Sequence, residues 1–271
     1  MVNRPTTPDH KDAIAFFARM GYTARGIVYV LVGGLATLAV FGQGGQTEGS
    51  RGALQWVLGA PLGNVLLGAI ALGLLGYAMW RSIQAIKDPD QHGTDPKALT
   101  IRASLLASAI THTLLAIFAV SMIFTFGGSS EGSGGSQGVA DWLMGLPLGR
   151  WLVGAAGLIL IGAGLAHGIK GWKTKFDCHF DMPTRTQYWA YPLCRFGLAV
   201  RGLVFIITGS FFLIAAYQVD PDQAGGMAEV FSTLREQPFG PWLLAFVAVG
   251  LLAFGFYSLL EAIYRRVKPS S

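Results

Sequence analysis

The stretch GIVYVLVGGLATLAVF (26–41) contains no charged residue, and runs of this kind decide the class of fold. A helix needs about 20 apolar residues to cross a hydrocarbon core of about 30 Å. Five more uncharged runs follow, at 52–80, 103–130, 151–169, 202–219 and 240–260. Backbone groups in lipid must be hydrogen-bonded within their own segment, so these runs predict helices. We therefore expect an all-α integral membrane protein with six transmembrane helices.

The composition agrees with this class. Charged residues make up 13% of the 271 residues, about half the share found in soluble domains. The first 25 residues carry several charges and no short apolar core before a cleavage site, so the first span is expected to act as the insertion signal. The expected spans lie near 25–42, 62–83, 103–126, 150–170, 199–219 and 240–262.

The basic residues are distributed unevenly between the two sides that these spans define. The N-terminal tail, the second and fourth connections and the C-terminal tail carry 17 of the 20 lysines and arginines. Positively charged loops stay in the cytoplasm, so we expect cytoplasmic N- and C-termini. Asp90 and Lys173 are then expected on the cytoplasmic side, and Glu131 and Asp222 on the opposite side. The net charge of +5 is explained by topology and by anionic headgroups on the cytoplasmic side, not by nucleic acid.

Three segments of the chain align as copies of one unit. ARMGYTARGIVY (18–29) matches CRFGLAVRGLVF (194–205). The middle copy, IRASLLASAITH (101–112), keeps Arg102 but has Ser104, Ser108 and Ala109 where the others have Gly, Arg and Gly. A short Pro-Gly element precedes the second helix of each copy, as APLG (60–63), LPLG (146–149) and QPFG (237–240). The predicted division is an N-terminal tail at 1–12 and repeats at 13–92, 93–180 and 181–271.

The number of spans in each repeat predicts how the repeats are related. Two spans per repeat mean that every copy starts on the same side of the membrane, so the copies are parallel rather than inverted. We therefore expect three tandem helical hairpins arranged around a pseudo-three-fold axis along the membrane normal.

The repeated opening, the Pro-Gly turn and the ending GYAMWR (76–81) resemble the bacterial membrane family catalogued as domain of unknown function 1206. The resemblance covers nearly the whole chain. It implies a six-span protein of the bacterial inner (plasma) membrane, and it brings no established activity and no catalytic residues.

The repeat arginines Arg19, Arg25, Arg195 and Arg201 have two interpretations. In the first, each side chain reaches from the end of a span to the headgroups, which avoids moving a charge deeper. In the second, guanidinium groups from different helices form an anion site for a lipid phosphate or an anionic solute. The two arginines of one copy are six residues apart and do not share a helix face, so such a site would be interhelical.

A polar stripe in the third span is formed by Ser104, Ser108 and Thr111, with His112 beside it. Polar groups at membrane depth usually face other helices. We expect His112 to be buried and neutral, with a polar partner from a neighbouring repeat. The stripe either supports packing or forms a proton-carrying or solute-contacting site.

Two charges at equivalent positions near the inner helix ends, Lys170 and Glu261, are expected to form a structural ion pair or a gate. Cys178, His179, Asp181 and Cys194 share one loop, but their spacing matches no compact metal site. No metal, cofactor or catalytic residue is predicted.

These observations favour a non-enzymatic membrane protein that acts in binding, as a scaffold or in envelope stress. The alternative is a small channel or transporter with a site at the repeat interfaces, and a membrane enzyme ranks third, since the spans offer few clustered titratable groups. Membrane lipids are the expected partners, and protein partners are left open.

Overall fold

A computed structural model describes residues 10–42, 49–89, 93–124, 136–173 and 181–265. The helices, in chain order, are α1 (His10–Val40), α2 (Gly49–Leu58), α3 (Gly63–Lys87), α4 (Pro96–Phe124), α5 (Ser136–Met144), α6 (Gly149–Lys173), α7 (Thr184–Gln218), α8 (Met227–Glu236) and α9 (Gly240–Tyr264). A 3-10 turn at Pro221–Gln223 precedes α8. Each long helix is thus followed by a short helix and then by a helix of 25 residues.

Six of these helices are long and apolar enough to cross a membrane, as the sequence predicts. Three of them begin earlier than expected: α1 starts at His10, inside the predicted tail, α4 starts at Pro96 rather than near residue 103, and α7 starts at Thr184 rather than near residue 199. An uncharged run shows only where a helix enters the lipid. Lysine and arginine are good helix formers, so the helix itself can begin earlier, in the charged segment outside the lipid. Asp90 and Glu131, for which a side of the membrane was predicted, lie outside the described residues.

The three Pro-Gly elements adopt one backbone conformation. The residue after each proline has a left-handed backbone, with φ of 60° at Leu62, 62° at Leu148 and 63° at Phe239. Glycine follows each time because there is no room for a side chain: a Cβ on Gly63 would lie 2.6 Å from the carbonyl oxygen of Val57. A left-handed non-glycine residue costs about 1–2 kcal/mol, so the surrounding packing must hold this turn in place.

The long helices pack in a cyclic order. Helix α1 contacts α3, α3 contacts α4, α6 contacts α7, α7 contacts α9, and α9 returns to α1. The remaining contact, between α4 and α6, is the least extensive of the six, and we call it the α4–α6 seam. Only 22% of the most apolar window of α4 and of α6 is buried in the protein, against 44–61% in the other four spans.

Glycines explain why some helices approach closely and α4 and α6 do not. A Cβ on Gly21 would lie 2.6 Å from Cβ of Tyr77, and one on Gly197 would lie 2.7 Å from Cα of Phe254. These two glycines bring the two long helices of the first and third repeats together. The middle repeat has Ser104 at the matching position. Because small residues set how closely membrane helices approach, this substitution accounts for the loose seam.

Candidate functional site

The ends of the long helices enclose a cluster of charged and hydroxyl side chains, which we call the polar core. It is formed by Arg25, Tyr77, Arg81, Lys170, Arg201, Tyr257, Ser258, Glu261 and Arg265. These residues come from α1, α3, α6, α7 and α9, and from the residue after α9, so all three repeats contribute.

Glu261, in the last turn of α9, is the centre of the cluster and is 1% exposed. Its Oε2 accepts a hydrogen bond from Nη2 of Arg25 at 2.5 Å, and its Oε1 accepts one from Nη1 of Arg265 at 2.6 Å. The hydroxyl of Tyr257 donates to the same Oε1 at 2.9 Å. Residues spaced by four lie on one helix face, so two of these three donors come from α9 and from the residue that follows it.

Arg25 is fixed through all three of its guanidinium nitrogens. Its Nε donates to Oγ of Ser258 at 3.0 Å, its Nη1 donates to the hydroxyl of Tyr77, and its Nη2 binds Glu261. The side chain is 4% exposed. The headgroup interpretation is therefore wrong for Arg25, which instead joins α1 to α3 and α9.

Two other cations of the cluster bind neutral acceptors. Arg81 donates from Nε to the Tyr77 hydroxyl at 2.7 Å and from Nη1 to Oε1 of Gln84 at 3.0 Å. Lys170 donates to the hydroxyl of Tyr257 at 2.8 Å. That hydroxyl lies between Lys170 and Glu261, so the two predicted partners are linked through Tyr257 rather than paired directly. The reason is that Arg25 and Arg265 already occupy the carboxylate.

Arg201 differs from the other cations. It is 6% exposed, and its Nε and Nη1 are buried without a hydrogen-bond partner. Its guanidinium carbon lies 4.5 Å from the ring centre of Tyr29 and 4.4 Å from the ring centres of Phe205 and Phe254. The ring faces attract the cation, but they accept no hydrogen bond in the plane of the guanidinium group. Arg201 is thus a buried cation with unused donors.

The remaining repeat arginines lie at the periphery. Arg102 donates to the carbonyls of Ala85 and Ile86 at 2.7 and 3.0 Å. Arg195 makes the equivalent bonds to the end of α6, at 3.1 and 3.4 Å. Both side chains therefore bind carbonyls that the last helical turn leaves free. Arg19 and Arg195 are exposed, in agreement with the headgroup interpretation for these two.

The polar stripe of α4 is hydrogen-bonded within its own helix. His112 is 5% exposed, and its Nδ1 lies 2.7 Å from the carbonyl oxygen of Ser108. Ser104 donates to the carbonyl of Ile101, and Thr111, which is exposed, donates to that of Ala107. The expected polar partner from another repeat is therefore wrong, because carbonyls one turn back are within reach of such side chains. The neighbouring repeat contributes a ring instead, with Tyr77 centred 4.6 Å from the imidazole.

A second histidine, His167 of α6, was not predicted as part of a site. Its Nδ1 lies 2.8 Å from the carbonyl oxygen of Ala163, and its ring centre lies 5.4 Å from that of Phe205. In both histidines the carbonyl can only accept, so Nδ1 carries the proton and Nε2 is the acceptor. The four-residue spacing of Tyr77 and Arg81 is a sequence signal that could have predicted part of the polar core.

No group of three or more His, Cys, Asp or Glu side chains suited to a metal ion occurs among the described residues. Cys194 is a buried free thiol, whereas Cys178 and His179 lie outside the described part of the chain.

Six apolar helices and three sequence repeats define a multi-pass helical membrane protein with a three-repeat domain. The chain belongs to the family described as Domain of Unknown Function (DUF1206), which matches residues 20–88, 103–174 and 196–265. It is also similar to the protein named "Uncharacterized protein YxxB" of Bacillus subtilis (strain 168), with 32% identity over 263 residues, covering 95% of this chain and 93% of the Bacillus protein. No solved structure matches the chain. The family resemblance noted in the sequence is confirmed.

Proposed function

We propose that this protein is a non-enzymatic component of the bacterial inner membrane that binds an anionic ligand in its polar core. The observation that carries the proposal is the charge balance of the cluster. Within the described residues, the single carboxylate of Glu261 forms ion pairs with both Arg25 and Arg265. The other three cations of the polar core have no carboxylate of the described residues within 4.0 Å. They are Arg81, Lys170 and Arg201.

Of these three cations Arg201 is buried, so its positive charge is costly, whereas Arg81 is half-buried and Lys170 is exposed. Moving one ion into a protein interior costs several kcal/mol, and only a well-placed partner offsets that cost. An oxyanion offers several acceptor oxygens, and the planar fork of a guanidinium matches a carboxylate or phosphate in shape. The unpaired Nε and Nη1 of Arg201 lie on different edges of its guanidinium group, and each can donate to an oxyanion.

A binding role is favoured over catalysis by the state of the carboxylate. Glu261 accepts hydrogen bonds from three donors, so neither of its oxygens is free to take a proton from a substrate. A general base must reach the proton that it abstracts. The described polar core therefore resembles a binding site more closely than a site for acid–base chemistry.

The arrangement in the membrane belongs to the same proposal. Three parallel hairpins around a pseudo-three-fold axis account for the cyclic packing order and for the shared left-handed turn. The distribution of lysine and arginine favours cytoplasmic termini. In this orientation the polar core lies in the cytoplasmic half of the bilayer, beside anionic headgroups. Lipids are the proposed partners, and nucleic acid is not.

The test is a comparison of thermal unfolding in neutral detergent with sodium phosphate and with sodium chloride at equal ionic strength. A ligand that binds only the folded state raises stability by RT ln(1 + [L]/Kd). We expect phosphate to raise the Tm above the chloride value, and Arg201→Gln to abolish the difference. Arg19→Gln removes an exposed arginine and should preserve it. Equal Tm values in the two salts, together with no stabilisation by an anionic lipid, would contradict the proposal.

Transport is the second candidate. It is favoured by the location of Arg201, whose aromatic neighbours Tyr29 and Phe254 belong to α1 and α9, so that the site lies between repeats. Anion-driven flux in proteoliposomes that Arg201→Gln abolishes would favour a transporter, and binding without flux would favour the first candidate.

A further inference from the structure

We propose that the anion of the polar core is the oxyanion headgroup of an amphiphile, which enters from the bilayer through the α4–α6 seam and binds Arg201. This inference rests on the anion-binding function proposed above and adds the chemical class of the ligand and its route.

The first observation is that the seam is built into the sequence of the middle repeat. Gly21 and Gly197 let the two long helices of their repeats meet at backbone distance, and Ser104 replaces them in α4. The side chain of Ser104 is half-buried rather than packed against a neighbouring backbone, and its hydroxyl turns to the carbonyl of Ile101 at 2.7 Å. The bundle is therefore least tightly closed between α4 and α6.

The second observation concerns the position of the middle repeat that is equivalent to Arg201. Ser108 aligns with Arg25 and Arg201, so two of the three equivalent positions carry a guanidinium and the third carries a small hydroxyl side chain. Arginine is much the larger residue, so the middle repeat has less side-chain volume at this position. A headgroup could occupy that position and meet the cations of the other two repeats.

The faces of α4 agree with this placement. Arg102 binds the end of α3 and so marks the side of α4 that faces α3. With 3.6 residues per turn, Ser104 and Ser108 lie on the opposite side of His112 from Arg102. Both serines are half-buried. The side of α4 that is turned away from α3 is thus small and polar at the level of the polar core.

The other helix of the seam, α6, carries a cation whose amine reaches the polar core. Lys170 is exposed along its stem, yet its amine donates to the buried hydroxyl of Tyr257. One side chain therefore extends from the exposed surface of α6 to the polar core.

The surroundings of the seam favour an amphiphile over a free ion. The outward faces of both helices carry large exposed apolar side chains, among them Ile110, Leu114, Leu158 and Leu165. A bare anion reaching the seam from this side would have to cross hydrocarbon, which is costly for any charge. A headgroup with acyl chains can place its oxyanion at Arg201 while its chains remain against these apolar faces.

The experiment uses the full-length protein in neutral detergent and three probes. The probes are phosphatidylglycerol, phosphatidylcholine with the same acyl chains, and inorganic phosphate. Bound lipid is counted by native mass spectrometry, and the Tm is measured in parallel. We expect phosphatidylglycerol to bind and raise the Tm and phosphatidylcholine to do neither. Because Arg201 supplies charge-assisted hydrogen bonds, Arg201→Gln should weaken phosphatidylglycerol binding about tenfold or more.

Two tryptophan variants test the route. Ser108→Trp fills the proposed path and should weaken phosphatidylglycerol binding to a similar extent. Ala103→Trp adds the same bulk to an exposed position of α4 on the other side of the helix from Ser104 and Ser108, and should leave binding unchanged. If Arg201→Gln does not fold, the two tryptophan variants decide the question alone.

Each outcome has one meaning. Phosphate binding that depends on Arg201, without phosphatidylglycerol binding, would overturn the amphiphile while the anion site stands. Equal binding of the two lipids, or phosphatidylglycerol binding that neither Arg201→Gln nor Ser108→Trp weakens, would overturn the inference. Failure of phosphate and of both lipids would overturn the proposed function as well.

Discussion

Replacing Glu261 by glutamine removes the only carboxylate that the described residues bring into the polar core. The glutamine keeps the size of the side chain and one acceptor oxygen, but it cannot neutralise the guanidinium groups of Arg25 and Arg265. Both are buried, at 4% and 7% exposure, so water cannot replace the lost charge. The change therefore isolates the electrostatic role of the carboxylate from its packing.

The expected magnitude follows from this geometry. Breaking a buried ion pair by neutralising one partner typically costs about 3–5 kcal/mol, because the other charge stays buried without compensation. Here two cations lose the same partner, at 2.5 and 2.6 Å. For a chain of this length a loss of this size lowers the Tm by on the order of 10 °C. We expect Glu261→Gln to lie at the upper end of the range.

The assay is equilibrium unfolding in mixed micelles of detergent and SDS, with Glu236→Gln as the matched control. Glu236 is exposed at the end of α8, and its replacement should change the free energy of unfolding by less than about 0.5 kcal/mol. The double variant Glu261→Gln with Arg265→Gln removes one of the two cations that lose this carboxylate and should recover part of the loss. A loss below about 1 kcal/mol for Glu261→Gln would refute the reasoning, since it would mean that the pair is not held away from water.

Three further predictions concern packing and use the same unfolding assay. Gly21→Ala should lower the free energy of unfolding by about 1–3 kcal/mol through overpacking against the adjacent helix. Gly162→Ala, where a Cβ meets nothing within 4 Å, should be neutral or stabilising. The reverse order of the two effects would contradict the role of Gly21 in helix packing. Leu62→Gly should stabilise by about 1 kcal/mol because it relieves a left-handed residue, whereas Gly63→Ala should destabilise, and equal effects would argue against the turn. His112→Phe loses about one hydrogen bond to a carbonyl that the helix still uses, so the Tm should fall by only a few degrees; a much larger fall would show that the imidazole has a further partner.

The spans and the repeats follow from the sequence because both are local properties. A run without charge such as 26–41 reports directly on the solvent around it, and the alignment of Arg25 with Arg201 needs no knowledge of the fold. The starts of α1 and α7 could not be located in this way, since charged residues continue a helix outside the lipid.

The contacts of the candidate site could be predicted only in part. Arg25 and Glu261 are 236 residues apart, and they meet only because α9 packs against α1. Repeat symmetry placed Lys170 and Glu261 at equivalent positions, but it could not show that Tyr257 stands between them. The role of Ser104 was visible as a departure from the repeat pattern, and its effect on packing required the positions of the two helices.

The partners of individual polar groups depend on distances of a few ångströms. His112 uses a carbonyl of its own helix, and Arg201 has no acceptor at two of its nitrogens, although each belongs to the same set of candidate residues. Sequence spacing did not distinguish these cases, because arginines at matching positions of two repeats have different surroundings. Both guanidinium groups lie near three aromatic rings, but only Arg25 has the carboxylate of Glu261 beside it.

The most direct test of the central claim is an experimental structure of the protein purified from its own membrane without added anion. We expect density for an oxyanion that contacts Nε or Nη1 of Arg201, with an oxygen atom about 2.7–2.9 Å from that nitrogen. If the guanidinium group is instead enclosed by Tyr29, Phe205 and Phe254 with no density beside it, in a preparation whose lipids are otherwise retained, the claim that the polar core binds an anion is contradicted.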